Sequence, residues 1–115
     1  MALDRTSTNI GYLVGRCIGA CRRAAEALSA PTSHISDALE IAPRDPMRGL
    51  QLAMETAMHA GALHPARPAG YQELEEQICL IADKLPADLP DRKLTENERM
   101  VIVLGYDHQL GAYPI

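Results

Sequence analysis

The side chains best able to do chemistry are histidine, cysteine, serine and paired carboxylates, and here their spacing speaks against a reaction. The four histidines are His34, His59, His64 and His108. No pair of them has zinc-ligand spacing, and there is no Cys-x-x-Cys. His59 and His64 flank the end of an expected helix with no acid in register. No serine sits in a nucleophile elbow, and no cysteine has a basic residue and a histidine arrayed beside it. The acids are spread over faces expected to be solvated, so no acid–base pair can be nominated. A glycine-rich phosphate loop is absent as well. The expectation is a non-enzymatic chain with no catalytic residue, no metal, no cofactor and no small-molecule substrate.

The arginines offer a different chemistry. Arg16 and Arg23 lie two helical turns apart and project from the same side of an expected helix. Arg22 sits a third of a turn away, four before Glu26, close enough for an ion pair. Two readings stay open for this set: an ordinary solvated face, or a strip whose guanidinium forks grip phosphate oxygens without reading bases. Arg92, Lys93 and Arg99 form a second, smaller basic cluster. Neither cluster has interleaved aromatics, so any nucleic-acid contact would be sequence-independent and free of base stacking.

Gly11, Gly15 and Gly19 repeat every four residues on the helix that carries the first arginines. Glycine costs a helix about 1 kcal/mol relative to alanine, so three on one stripe need a reason. The physical one is close approach of another backbone, belonging either to this domain or to a partner.

The elements that must position these residues are helical. The 115 residues fit one domain, 1–115, with the polar segment 1–7 expected to fray. There is no Phe or Trp and there are only four Tyr; Ala, Leu, Ile and Met supply the apolar mass, which favours helices over strands. Thr8 or Ser7 can cap a first helix whose stripe is Ile10, Leu13, Val14, Cys17, Cys21, Ala24 and Leu28, with Arg16, Arg22, Arg23 and Glu26 opposite. It stops before Pro31. Thr32 or Ser33 caps a second helix carrying Ile35, Ala38, Leu39 and Ala42. Asp45 followed by Pro46 starts a third, with Leu50, Met54, Ala57, Met58 and Gly61 along one side. His64 to Gly70 reads as a loop. Tyr71, Leu74, Ile78, Ile81 and Leu85 mark a fourth helix, and 86–91 a second loop. Thr95 and Glu98 form a capping box opening a fifth, in which Met100 to Leu104 are all apolar. Such a helix is either the centre of the bundle or an interface with another chain. The fold class is therefore all-α, a compact bundle of about five helices.

A net charge of −4 fits ordinary solubility and requires any nucleic-acid contact to come from a local patch or a neighbouring subunit. Three cysteines, no secretion signal and no apolar run of membrane-spanning length fit a reducing cytosol and no membrane. Cys17 and Cys21 are read as core residues.

Two stretches resemble a known family. Ala2-Leu3-Asp4, followed by Asn9-Ile10-Gly11-Tyr12-Leu13-Val14-Gly15-Arg16, is similar to the run that opens the C-terminal helical domain of the type I-C CRISPR large subunit. That domain is also made separately as the small subunit of the Cascade complex. Leu94-Thr95-Glu96-Asn97-Glu98-Arg99 and Leu104-Gly105-Tyr106-Asp107-His108-Gln109 resemble its closing pattern, and Ile35-Ser36-Asp37 with Pro46 a middle segment. This chain has Val14 where the family has Leu, Ala38 in place of an Arg, Leu39 and Glu40 in place of an aromatic pair, Arg99 for Gln and Asp107 for Tyr.

The resemblance implies a non-catalytic subunit in a prokaryotic cytoplasm. It would pack against the large and backbone subunits and steady the guide RNA–target DNA duplex and the displaced DNA strand through backbone contacts. Sequence specificity would come from the guide. Arg16, Arg22 and Arg23 are the first candidates for phosphate contacts, then Arg92, Lys93 and Arg99. Leu13, Gly15, Tyr106 and Gln109 are candidate packing or interface positions. The negative charge and the missing arginine motivate an alternative, an inhibitor that takes the small subunit's place without gripping DNA. A helical protein-interaction adaptor is a third possibility.

Overall fold

The first helix begins where an asparagine side chain can replace a missing backbone acceptor. In the computed structural model, which describes residues 3–63 and 66–111, α1 runs Ile10–Ala27. Its cap is Asn9, whose Oδ1 accepts the Tyr12 N–H at 3.1 Å. The expected caps, Ser7 and Thr8, do not fill that role; Ser7 Oγ instead accepts the Asn9 N–H. The segment expected to fray is tied down over its described part. Asp4 Oδ1 accepts both the N–H and the hydroxyl of Thr6, and the Asp4 N–H donates to the Tyr12 hydroxyl.

The end of α1 is set before Pro31 acts. Ser29 takes a left-handed conformation at φ 56°. Its N–H reaches Glu26 O, and the Ala30 N–H reaches back to Ala25 O at 3.0 Å. This paired closure satisfies carbonyls the helix would otherwise leave open, with serine in the place glycine usually takes.

Four more helices follow: α2 Ser33–Ile41, α3 Pro46–Leu63, α4 Tyr71–Ala82 and α5 Glu96–Gly111. No strand occurs among the described residues. Asp45 Oδ1 accepts the Arg48 N–H, as the Asp-Pro start signal predicts. Gly70, at φ 85°, turns the chain into α4. That helix ends at Ala82, short of Leu85, and Leu89–Asp91 within the expected second loop forms a short 3-10 turn. The capping box is made in full: Thr95 Oγ1 accepts the Glu98 N–H at 3.1 Å, and Glu98 Oε1 accepts the Thr95 N–H at 2.8 Å.

The centre of the bundle is α1, not α5 with its run of apolar residues from Met100 to Leu104. Every residue from Ile10 to Cys21 is buried, and α2, α3, α4 and α5 all pack on it. Small residues make this possible, because a helix rich in Gly and Ala can be approached closely from several sides. The α3 stripe is also shifted from its expected line. Gly49, Leu50, Ala53, Ala57 and Ala60 face inward, Met54 is half-buried and Met58 is exposed. Cys17 and Cys21 are buried free thiols in the core, and Cys79 is exposed on α4.

Candidate nucleic-acid interface

The three glycines of α1 receive the backbone of α5. A Cβ on Gly11 would fall inside Glu98 O, one on Gly15 inside Ile102 O, and one on Gly19 would sit 3.0 Å from Tyr106 O. The spacing in α5 is again four residues, so the two helices run in the same direction in a fixed register. Gly105 returns the arrangement, presenting its bare Cα to Tyr12 O. Of the two partners open for this stripe, the structure selects a helix of the same domain.

Polar side chains line the edges of this helix pair. Asn9 Nδ2 donates to Asn97 Oδ1 at 3.2 Å. The Tyr12 hydroxyl and His108 Nδ1 are 2.7 Å apart, with their rings edge to face. Arg16 Nε donates to Gln109 Oε1 at 3.0 Å. The Arg22 guanidinium donates to the Tyr106 hydroxyl, lies 5.9 Å from that ring's centroid and pairs with Glu26 at 3.6 Å. Arg23 donates to Leu110 O and pairs with Glu26 at 3.7 Å.

The first basic cluster therefore faces inward. Arg16 is only 3% exposed, so it does not lie on a solvated face. The reason is electrostatic. The last carbonyls of α5 carry the negative end of its dipole, and Arg23 donates to one of them while Arg16 and Arg22 hold side chains of the same turns. Burial is the main influence holding the Arg16 guanidinium below its ordinary pKa, and its Nη1 has no hydrogen-bond partner in the described structure. The Tyr106 hydrogen bond is the main influence raising that of Arg22. Arg22 and Arg23 remain about one-third exposed, each with Glu26 beside it.

The second cluster stands at the other end of α5. Arg92 pairs with Glu98 at 3.7 Å, Arg99 Nη1 donates to Leu94 O at 3.1 Å, and Lys93 is exposed. Ten residues of helix, about 15 Å, separate Arg99 from Gln109, so the two clusters do not merge into one strip. Leu13, Gly15, Tyr106 and Gln109 are all buried inside the domain; they are packing positions, not a surface interface.

His108 and Asn97 are members of this helix pair that sequence reasoning did not assign. Their signal was their place within the closing motif. The remaining histidines lie elsewhere. His34 sits 3.9 Å from Asp37 and shares an open recess with Glu55 and His59, while His64 is outside the described residues. Among the described residues no group of three His, Cys, Asp or Glu side chains converges as metal ligands would, and no helix is long and apolar enough to cross a membrane.

Comparison with protein-family models, with curated proteins and with solved structures finds no match to this chain.

Proposed function

We propose that this chain is a non-catalytic small subunit of a type I-C-like CRISPR Cascade complex. One observation carries the reading. The two segments that resemble the family lie at opposite ends of the sequence, yet they meet as α1 and α5. Residues of those segments supply most of the contacts: Gly11 against Glu98, Gly105 against Tyr12, Tyr12 with His108, and Arg16 with Gln109, while Gly15 meets Ile102 in the apolar run between the two closing stretches. Segments some 90 positions apart are thus packed as one unit, which supports the reading of a scaffold subunit. In this reading the subunit packs against the large and backbone subunits. Its contacts with the guide–target duplex and the displaced strand fall to Lys93, Arg99 and the exposed parts of Arg22 and Arg23.

The inward turn of the first arginine cluster also favours the second reading, an inhibitor that occupies the small subunit's place. A net charge of −4 with Arg16 buried leaves little cationic surface for phosphate. Co-purification with type I-C Cascade components, followed by target-DNA binding across a salt series, separates the two. A subunit enters the complex and tightens binding, with a gain that fades as salt rises. An inhibitor enters and weakens binding. A chain that does not associate is neither, which leaves the adaptor. Lys93→Ala with Arg99→Ala should shrink the gain of a true subunit without unfolding it.

A further inference from the structure

A groove runs between α3 and α4. Each of these helices packs on α1, but their backbones scarcely approach one another. Buried Ala57, Tyr71 and Ile78 form the floor. Met54 and Met58 rise from α3 as one wall, Glu75 and Cys79 from α4 as the other. Met58 is 72% exposed at the lip. Met47, half-buried two turns before Met54, continues the same row. The enclosed space is about 120 Å³. A small-molecule site holds roughly 300–1,000 Å³, so the groove suits one large apolar side chain of a longer occupant and not a free ligand. Methionine is unbranched and turns about three bonds, so this wall can mould to what enters.

The charge along the rim is one-sided. Glu76, Cys79 and Asp83 recur at helical spacing on the outer side of α4, beside Glu75. Glu76 and Asp83 are exposed and have no ion-pair partner among the described residues; Glu76 meets only the neutral Gln72. Exposed Glu55 adds a carboxylate on the α3 side. The nearby cations are engaged or remote. Arg67 pairs with Glu75 at 2.9 Å and lies 5.2 Å from the centroid of the Tyr71 ring. Lys84 donates to Arg5 O, and Arg48 stands in the first turn of α3. A nucleic acid, an anionic lipid surface or an acidic helix would be repelled by this rim. A helix with one apolar face and lysine or arginine along its edge matches both floor and rim.

We propose that the groove between α3 and α4 is a docking site for one amphipathic helix of a partner protein. Its apolar face enters beside Met54 and Met58, and its cationic edge meets Glu75, Glu76 and Asp83. The length of α4, 12 residues or about 18 Å, sets the length of helix that fits. This docking site lies outside the Cascade reading and stands or falls apart from it.

Cys79 stands in the wall and reports occupancy. Cys17 and Cys21 are buried, so only Cys79 should react with iodoacetamide in the folded chain. The probe is a peptide of about 14 leucine and lysine residues, with the leucines at helical spacing. At about 100 µM it should slow alkylation of Cys79 about tenfold, with half the protein occupied near 10 µM, or about −7 kcal/mol. The protection should weaken as salt rises. A leucine–glutamate peptide of the same pattern should not protect. Met58→Lys and Asp83→Lys should each weaken binding about tenfold. Both positions are exposed on helices, and circular dichroism confirms that the variants fold. Unchanged alkylation of Cys79 at about 1 mM leucine–lysine peptide overturns the proposal. So does equal protection by the leucine–glutamate peptide, or binding indifferent to Met58→Lys. Reaction of Cys17 and Cys21 would overturn it too, because the peptide would then be unfolding the domain.

Discussion

Adding one methyl group at Gly15 should separate the two helices that define this domain. In Gly15→Ala the new Cβ would fall within the van der Waals envelope of Ile102 O and 2.8 Å from Tyr106 N. Both are backbone atoms of α5, so no side chain can swing aside. The helices must part by about 1 Å, which forfeits a quarter to a half of the dispersion energy of each contact that opens. Each heavy-atom contact contributes on the order of 0.1–0.2 kcal/mol. With a few dozen affected along α1 and α5, the loss is about 3 kcal/mol. Alanine returns about 1 kcal/mol of helix propensity. The net cost is about 2 kcal/mol, inside the usual range for overpacking. For a domain of this size the melting temperature should fall by roughly 10 °C. Thermal and urea unfolding followed by circular dichroism measure it. Gly111→Ala is the control, because nothing lies within 4 Å of a Cβ there, and it should change stability by less than about 0.5 kcal/mol. A Gly15→Ala protein that melts at or above the parent temperature would refute the close approach of α1 and α5.

Three further outcomes follow from the same geometry. Gln109→Leu should cost about 2–3 kcal/mol by leaving Arg16 Nε without an acceptor, and adding Arg16→Met should recover at least half of that, since removing both partners of a buried pair leaves nothing unsatisfied; urea midpoints for the four proteins give the coupling. Asn9→Ala should cost about 1 kcal/mol while Thr8→Ala stays within about 0.5 kcal/mol, and equal losses would show that the cap is misplaced. Burial is the main influence raising the Tyr71 phenol above 10.0, so the folded state holds that proton more tightly than the unfolded chain. Its contribution is complete below pH 10 and is lost as pH climbs through the folded value; a Tyr71→Phe protein should show a flatter fall in urea midpoint over that window.

Much of the fold was legible along the chain, and the reasons are local. The start of α3 at Asp45-Pro46 and the capping box of Thr95 and Glu98 depend on residues at most four apart. The stripe Ile10, Leu13, Val14, Cys17, Cys21, Ala24 and Leu28 is buried as its periodicity requires. The candidate site was read less well. Helical spacing set Arg16, Arg22 and Arg23 opposite that stripe, which is correct for a helix with one buried face. But α1 is enclosed on several sides, and spacing within one helix carries no information about how many neighbours it has. What lies beside Arg16 is Gln109, more than 90 positions away in the chain.

The sequence by itself determined the helices, most of their ends and the requirement that a backbone come close to Gly11, Gly15 and Gly19. Composition, capping and the cost of glycine act over a few residues, so they can be read without a partner in view. Only the tertiary structure decided that the approaching backbone is α5, that α1 is the centre, and that the first arginine cluster faces the C-terminal turns of α5 and not solvent. Those outcomes depend on which surfaces meet, and the negative end of a helix dipole attracts cations only once packing has brought it beside them.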